Sequence, residues 1–206
     1  MSTVKVIQLA VGGLDGNFSY LAIAGDGSAL VVDPCGDPSK LKDALKEAGA
    51  KIHPKYILIT HGHNDHFDAL PEVLELFKAP VVGHKSCKAP CDMRVDDGAE
   101  LPFGGISVKC IHTPGHSLDS VCYLLSDNSA LFTGDTLFID CCGYCEAKTM
   151  FHTMRQRLWP LPDQAIVYSG HNYGHVPFES LGSQKLSNPY LKAKDFETFK
   201  RELKNL

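Results

Sequence analysis

Short apolar segments separated by turn residues occupy the first part of the chain. The segments VKVIQLA, FSYLAIA and ALVVD are rich in β-branched and aromatic residues, and Gly12, Gly13 and Gly25 lie between them. This pattern predicts three consecutive β-strands.

The spacing of apolar residues then changes from that of a strand to that of a helix. Apolar residues recur at i, i+3, i+4 and i+7: Leu41, Ala44, Leu45 and Ala48. Asp37 is predicted to be the N-cap, Pro38 the first helical residue, and Gly49 the stop. The sequence therefore predicts one amphipathic helix after the third strand.

Strand and helix patterns continue to alternate along the rest of the chain. The apolar run YILIT predicts a strand covered on both faces, and a helix is expected to begin near Asp68. PVVGH, ISVKCI, VCYLL, ALFTG and AIVYS predict strands, whereas AKTMFHTMRQRL and DFETFKREL predict helices. Helices between strands in both halves indicate sheets with helices packed outside them.

Composition narrows the class of protein. The 206 residues are 44% hydrophobic and 21% charged, with a net charge of −4. This predicts one globular domain, and the lack of a basic cluster argues against nucleic-acid binding. No apolar run reaches the length of a membrane span, and the apolar stretch near residue 1 is too short for a signal peptide. We expect a cytoplasmic protein, and the sequence leaves its oligomeric state open.

The heptapeptide THGHNDH follows YILIT directly. It brings His61, His63, Asp65 and His66 into one loop at the end of a predicted buried strand. Ligand sites of α/β proteins commonly form at such strand ends. Imidazole and carboxylate groups suit zinc and iron, so the segment predicts a metal site.

Three more residues of ligand type follow predicted strands. His116 lies in HTPGHS, Asp135 lies in FTGDTLF, and His171 lies in SGHNY. A lone histidine after a strand is usually a hydrogen-bonded surface residue. Four strand ends that carry such residues together favour one shared metal centre.

These segments, in this order, resemble the metallo-β-lactamase fold superfamily. The sequence is most similar to its glyoxalase II and persulfide dioxygenase group, since AKTMFHT and SLGSQKLSNPYL also resemble segments of that group. The resemblance extends from GNFSYL to NPYL. It implies an α+β fold, a four-layer αββα sandwich, with residues 1–206 as a single domain and 176–206 as its C-terminal extension.

The resemblance also implies a set of metal ligands. His61, His63 and His116 would hold a first ion, while Asp65, His66 and His171 would hold a second, with Asp135 bridging them. Mononuclear iron dioxygenases of the group use the positions of His61, His116 and Asp135. The expected cofactor is therefore two divalent ions, with zinc favoured and a single iron as the alternative.

Three functions are compatible with these residues. The first is a metallohydrolase that cleaves a thioester or related acyl substrate, with Asp65 and Asp135 in catalytic roles. The second is a mononuclear iron persulfide dioxygenase. The third is a non-catalytic metal- or thiol-responsive module.

The substrate is expected to be a small molecule, with a glutathione derivative as one candidate. Tyr173 and Tyr144 are candidate substrate contacts, but Tyr144 stands where relatives usually carry a basic residue. The chain also ends before the helical domain with which full-length glyoxalase II proteins hold glutathione. We therefore expect weak glutathione recognition.

Eight cysteines include two closely spaced pairs. Cys87 and Cys91 form a C-x3-C pair, and Cys142 and Cys145 form a C-x2-C pair. We expect reduced, buried or half-buried thiols in a chain of this length. The alternatives are a structural zinc site shared by both pairs, or a redox pair at Cys142 and Cys145.

Overall fold

The computed structural model describes residues 4–49 and 51–206. Residues 1–3 and 50, which belong to the predicted domain span 1–206, lie outside the described residues. Two six-stranded sheets form the centre of the molecule. Within the described residues, no helix has the length and apolar character needed to cross a membrane.

The first sheet contains the first six strands in sequential order. They are β1 (Lys5–Gly12), β2 (Asn17–Ile23), β3 (Ser28–Val32), β4 (His53–Leu58), β5 (Val81–His84) and β6 (Met93–Val95). β1 to β3 are antiparallel neighbours, whereas β3 to β6 are parallel. Parallel neighbours need a long crossover, which explains the helix before β4 and the helix before β5.

The second sheet contains the last six strands in reverse order. They are β7 (Glu100–Phe103), β8 (Ile106–His112), β9 (Val121–Leu125), β10 (Ala130–Gly134), β11 (Ile166–Ser169) and β12 (Glu179–Ser180). All neighbours are antiparallel except β10 and β11. A helical crossover again joins the parallel pair.

The helices cover the outer faces of the sheets. They are α1 (Ser39–Ala48), α2 (Leu70–Leu76), α3 (Ala147–Thr153), which continues as a π-helical turn (Met154–Leu158), α4 (Leu181–Ser187) and α5 (Phe196–Glu202). α1 and α2 pack on the first sheet, and α3 to α5 pack on the second. The order helix, sheet, sheet, helix is the predicted αββα sandwich.

Alternation of side chains along single strands divides the interior into three apolar clusters. In β3, Val31 packs under the helices of the first sheet, whereas Leu30 and Val32 enter the cluster between the sheets. Successive strand residues face opposite sides, so a strand with both faces covered must be apolar throughout. Ile57 and Leu58 divide in the same way, as predicted for YILIT.

Several element boundaries differ from the predictions. The strand predicted at YILIT begins earlier, at His53, and ends at Leu58. α1 begins at Ser39 with Pro38 at its N-cap, although the Asp37 carboxylate still accepts a hydrogen bond from the Ser39 amide (2.9 Å). β6, β7, β12 and α4 were not predicted. They are short, and their apolar residues are too few to show a period.

The segment 176–206 shares the core of the second sheet. Leu181, Leu191 and Phe199 are fully buried and belong to the same cluster as Leu124 and Val167 of that sheet. This packing supports the interpretation of 176–206 as part of the same domain. The single-domain assignment of 1–206 stays a prediction.

Candidate metal centre

Three of the predicted ligands converge at the edge where β4 and β8 end. The ligating atoms of His61, His63 and His116 lie within 4.8 Å of one another. Nδ1 of His63 is 3.0 Å from Nε2 of His61 and 2.9 Å from Nε2 of His116. The alternating positions of His61 and His63 in an extended segment let both imidazoles face one point, as the sequence predicted.

A second group forms from Asp65, His66 and His171, whose ligating atoms also lie within 4.8 Å of one another. The Asp65 Oδ2 atom is 3.7 Å from Nε2 of His66 and 3.5 Å from Nε2 of His171. A short 3-10 turn, Asn64–His66, carries Asp65 and His66 past His63. The His66 ring stays 4.2 Å from the His61 ring, so that His61, His66 and Asp135 form a further possible metal group.

Asp135 lies between the two groups. Its Oδ1 is 3.2 Å from Nε2 of His66, and its Oδ2 is 3.5 Å from Nε2 of His116 and 3.4 Å from Nε2 of His171. A carboxylate in this position faces ligands of both groups. The structure thus brings together all seven predicted ligands, and their metal-binding role stays a prediction.

The donor atoms fit divalent metal ions. Among the described residues, His66 Nε2 and Asp135 Oδ1 are buried side-chain atoms without a hydrogen-bond partner. Buried polar atoms are nearly always paired, so two unpaired atoms that face the same point indicate a missing partner. Imidazole nitrogens with carboxylate oxygens are the donors that zinc and iron accept.

The protonation of the histidines is set by burial and by nearby carboxylates. Burial holds the pKa of His61 well below its usual value, with a further contribution from His66, so its imidazole is neutral and able to ligate. Burial acts in the same direction on His66, but the carboxylates of Asp33 and Asp135 outweigh it and raise its pKa well above the usual value. Burial would raise the pKa of Asp135, but the charge of His66 outweighs it and lowers that pKa.

Asp33 is a site residue that the sequence analysis missed. It follows β3, and its Oδ2 atom lies 2.8 Å from Nδ1 of His66 and accepts a hydrogen bond from the Thr60 hydroxyl (2.7 Å). Its Oδ1 accepts the Thr60 amide (2.8 Å). A carboxylate on the far nitrogen of an imidazole fixes which nitrogen faces a metal. The available signal was its position at the end of the strand ALVVD.

Other ligands are held by groups that lie far away in sequence. The side-chain amide of Asn17 donates a hydrogen bond to the Asp65 Oδ2 atom (3.2 Å). The backbone amide of Gly62 donates a hydrogen bond to Asp119 Oδ2 (2.8 Å). Nδ1 of His116 donates to the Tyr144 carbonyl (2.8 Å), which leaves its Nε2 facing the centre. Nδ1 of His171 lies 3.1 Å from the Asp15 carbonyl in the same kind of arrangement.

Glycine is required where the backbone passes closest to the ligands. A Cβ atom on Gly143 would lie 2.3 Å from the Asp135 carbonyl oxygen and 2.9 Å from Nδ1 of His116. A Cβ atom on Gly170 would lie 2.4 Å from Oδ1 of Asp135. None of these three distances is sterically possible, so these glycines let the loops close around the centre.

A family model described as the metallo-beta-lactamase superfamily matches residues 12–171. The chain belongs to this superfamily. It is a metallohydrolase of the superfamily, as its relatives are named zinc-dependent hydrolase and hydroxyacylglutathione hydrolase. The superfamily and the fold predicted from the sequence are thereby confirmed.

Individual relatives and one solved structure extend this comparison. A probable polyketide biosynthesis zinc-dependent hydrolase, BaeB of Bacillus velezensis, is 31% identical, with 89% of this chain and 85% of the relative covered. A hydroxyacylglutathione hydrolase of Rhodopseudomonas palustris is 34% identical over 78% of this chain but only 64% of its own length. The crystal structure of ETHE1 from Myxococcus xanthus has a TM-score of 0.83 at 28% identity, with 98% and 90% covered.

The two predicted substrate residues lie differently in this metallo-β-lactamase fold. The Tyr173 ring stacks on the His171 ring at 5.2 Å, and its hydroxyl donates to the Asp15 carboxylate. The Tyr144 side chain is 87% exposed beside the centre, while its carbonyl holds His116. Both tyrosines line the same cavity next to the metal centre. Their role as substrate contacts stays a prediction.

The two cysteine pairs lie in different layers of the superfamily fold. Cys87 and Cys91 pack with the helices of the first sheet, whereas Cys142 and Cys145 pack with those of the second. All eight cysteines are free thiols. One zinc site shared by both pairs is therefore excluded, because a layer of sheet separates them.

Proposed function

We propose that the chain is a thioester hydrolase that uses two zinc ions, one in each group of ligands. The position of the Asp135 carboxylate between His66, His116 and His171 supports this most strongly. A bridging carboxylate offsets charge on both ions of a pair. With a single ion, the three atoms of the second group would have no common partner.

A bound zinc pair supplies a hydroxide nucleophile near neutral pH. Asp65 would accept the hydrogen bond of that hydroxide and so orient it, because the Asn17 side-chain amide fixes the Asp65 carboxylate at 3.2 Å. The neutral imidazole of His61 remains available as a ligand. The sulfur of a thioester departs as a thiolate, which requires little assistance from an acid because thiols have a pKa of about 8.5.

Relatives named hydroxyacylglutathione hydrolase and zinc-dependent hydrolase support a small acyl substrate. Glutathione-derived thioesters are the first candidates to test, although we expect them to bind weakly. Hydrolysis is measured as thiol release from zinc-loaded protein, and metal content is measured by elemental analysis of protein made without added metal. Two zincs per chain with thiol release is the expected result.

A mononuclear iron persulfide dioxygenase is the second candidate. The position of the Asp135 carboxylate 3.5 Å from His116, a residue of the ligand set implied for one iron, favours it. It requires about one iron per chain and oxygen uptake with glutathione persulfide. Such uptake without thioester cleavage would reverse the order of the two candidates, and bound metal without either activity would favour the non-catalytic module.

A further inference from the structure

A cavity of about 590 Å³ opens beside the metal centre. Phe138, Tyr173, Cys142, Cys145, Leu203 and Leu206 are among the residues that line it. None of the described residues that line it carries a charge. Its volume lies within the range of small-molecule sites, which are mostly apolar and usually preformed.

The wall of this cavity is formed by residues that contact the metal ligands. The Tyr173 ring stacks on His171, and the Phe138 ring meets the same imidazole edge-on at 5.7 Å. Tyr144, which also lines the cavity, accepts the hydrogen bond from His116. The cavity is therefore separated from two predicted ligands, His116 and His171, by no more than one layer of side chains.

The other side of the centre has a different character. A second cavity of about 410 Å³ borders His63 and His116, and its lining includes Lys88, Ser86 and Asp119. The charged side chains of Lys88 and Asp119 can replace water around a charged substrate group there, whereas the first cavity offers tyrosine hydroxyls and cysteine thiols but no Asp, Glu, Lys or Arg side chain among its described residues. The two cavities thus favour a substrate that is apolar on one side of the scissile bond and polar on the other.

We propose that the first cavity binds the apolar acyl chain of a medium-chain acyl thioester, while the thiol portion occupies the second cavity. This inference rests on the proposed thioester hydrolysis. Water adds its oxygen to the acyl carbon, the carbon–sulfur bond breaks with its electron pair on sulfur, and the products are a carboxylic acid and a thiol.

Burial of the acyl chain predicts how the rate depends on its length. Each buried methylene stabilises binding by an amount that corresponds to about a fourfold change in an equilibrium constant. We expect kcat/KM of the zinc-loaded protein to rise by about that factor per methylene from acetyl to octanoyl N-acetylcysteamine. A matched series of acetyl esters with lengthening alkyl thiols should show no such rise.

One leucine of the cavity lining provides the test variant. Leu206→Asp places a carboxylate in the lining at a residue that is already 49% exposed, so folding is preserved. It should remove the dependence of kcat/KM on the length of the acyl chain. Leu186→Asp is the matched control, because Leu186 is 82% exposed on α4 and is not part of this lining.

Binding of the acid products separates this inference from the proposed function. Calorimetry should show octanoate binding far more tightly than acetate to the zinc-loaded protein, and Leu206→Asp should abolish the difference. That result supports the cavity assignment even if no thioester is cleaved. Absence of thioester cleavage would contradict the proposed function alone. Equal binding of the two acids, equal rates along the acyl series, or a strong preference for lactoylglutathione would each overturn the inference while leaving thioester hydrolysis intact.

Discussion

Asp135 faces both groups of ligands, whereas His171 belongs only to the second group. Asp135→Ala should therefore lose both proposed ions, while His171→Ala should keep one of them. Elemental analysis of the purified variants measures the difference. Full and equal metal retention in both variants would show that Asp135 is not a bridging ligand.

Asp33 orients the His66 ring through Nδ1, the ring nitrogen that faces away from the centre. Loss of a carboxylate on the far side of a ligating histidine typically weakens metal binding by about 10–100-fold. Asp33→Asn should show a loss of zinc affinity in this range in a titration against a competing chelator. The side-chain oxygen of the asparagine can still accept the hydrogen bond from the Thr60 backbone amide. Asp127→Asn is the control, since Asp127 accepts hydrogen bonds from Ser129 within its own turn. An unchanged zinc affinity in Asp33→Asn would contradict this role.

The sequence singled out the residues that the structure brings together as candidate ligands, but not the residues that hold them in place. Ligands are recognisable because His61, His63, Asp65 and His66 are crowded into one loop. Asn17 and Asp33 each stand alone in the sequence, and their partners are 48 and 33 residues away. Pairing over such distances is decided by sheet assembly, which no local pattern records.

Helix α3 supports the loop that carries His116. The Glu146 carboxylate accepts hydrogen bonds from the amides of Lys148 and Thr149, and the Glu146 amide donates to the Gly115 carbonyl (2.8 Å). A Cβ atom on Gly115 would lie 2.8 Å from the Met150 Cα atom, so the loop and the first turn of the helix are in direct contact. The cap therefore stabilises the helix on which the His116 loop rests.

The Glu146 cap makes a pH-dependent prediction. Its hydrogen bonds with Thr149 lower the pKa of the carboxyl. A lowered pKa in the folded state means that the stabilisation is fully present above the unfolded value of about 4.3 and is lost as the pH falls through the folded value. Glu146→Ala should thus lower the urea midpoint of metal-free protein at pH 7, and the difference from wild type should shrink in acid. Glu75→Ala, at an exposed position within α2, is the control, and a difference that persists in acid would contradict the charged cap.

Strands with both faces covered were predicted more successfully than edge elements. β3, β9 and β10 are buried at every residue, so their apolar runs identify them. β12 has two residues, and β6 has three, of which two are exposed. Such segments are strands only because a neighbour pairs with them, and their own sequence carries little preference.

The relation between the two sheets was the part least accessible from the sequence. The Phe18 amide donates to the Gly170 carbonyl (2.8 Å), and Asn17 pairs with His171 as an isolated bridge. These contacts join the start of β2 to the end of β11 across more than half of the chain. They close the edge at which the ligands meet, so the centre depends on the assembly of the whole sandwich.

Metal binding should stabilise the molecule without being required for its fold. Three apolar clusters account for the two sheets and their helices, and the ligands lie at one edge outside these clusters. Chelated protein should therefore remain folded but melt at a lower temperature. A ligand present at 1,000 times its Kd adds about 4 kcal/mol to the free energy of unfolding. Thermal melts with increasing zinc should show a Tm that rises with metal concentration in the wild type and stays constant in Asp135→Ala. A chelated protein that is already unfolded would mean that the sheet edge cannot close without metal, and a wild-type Tm indifferent to zinc would argue against a metal centre at these residues.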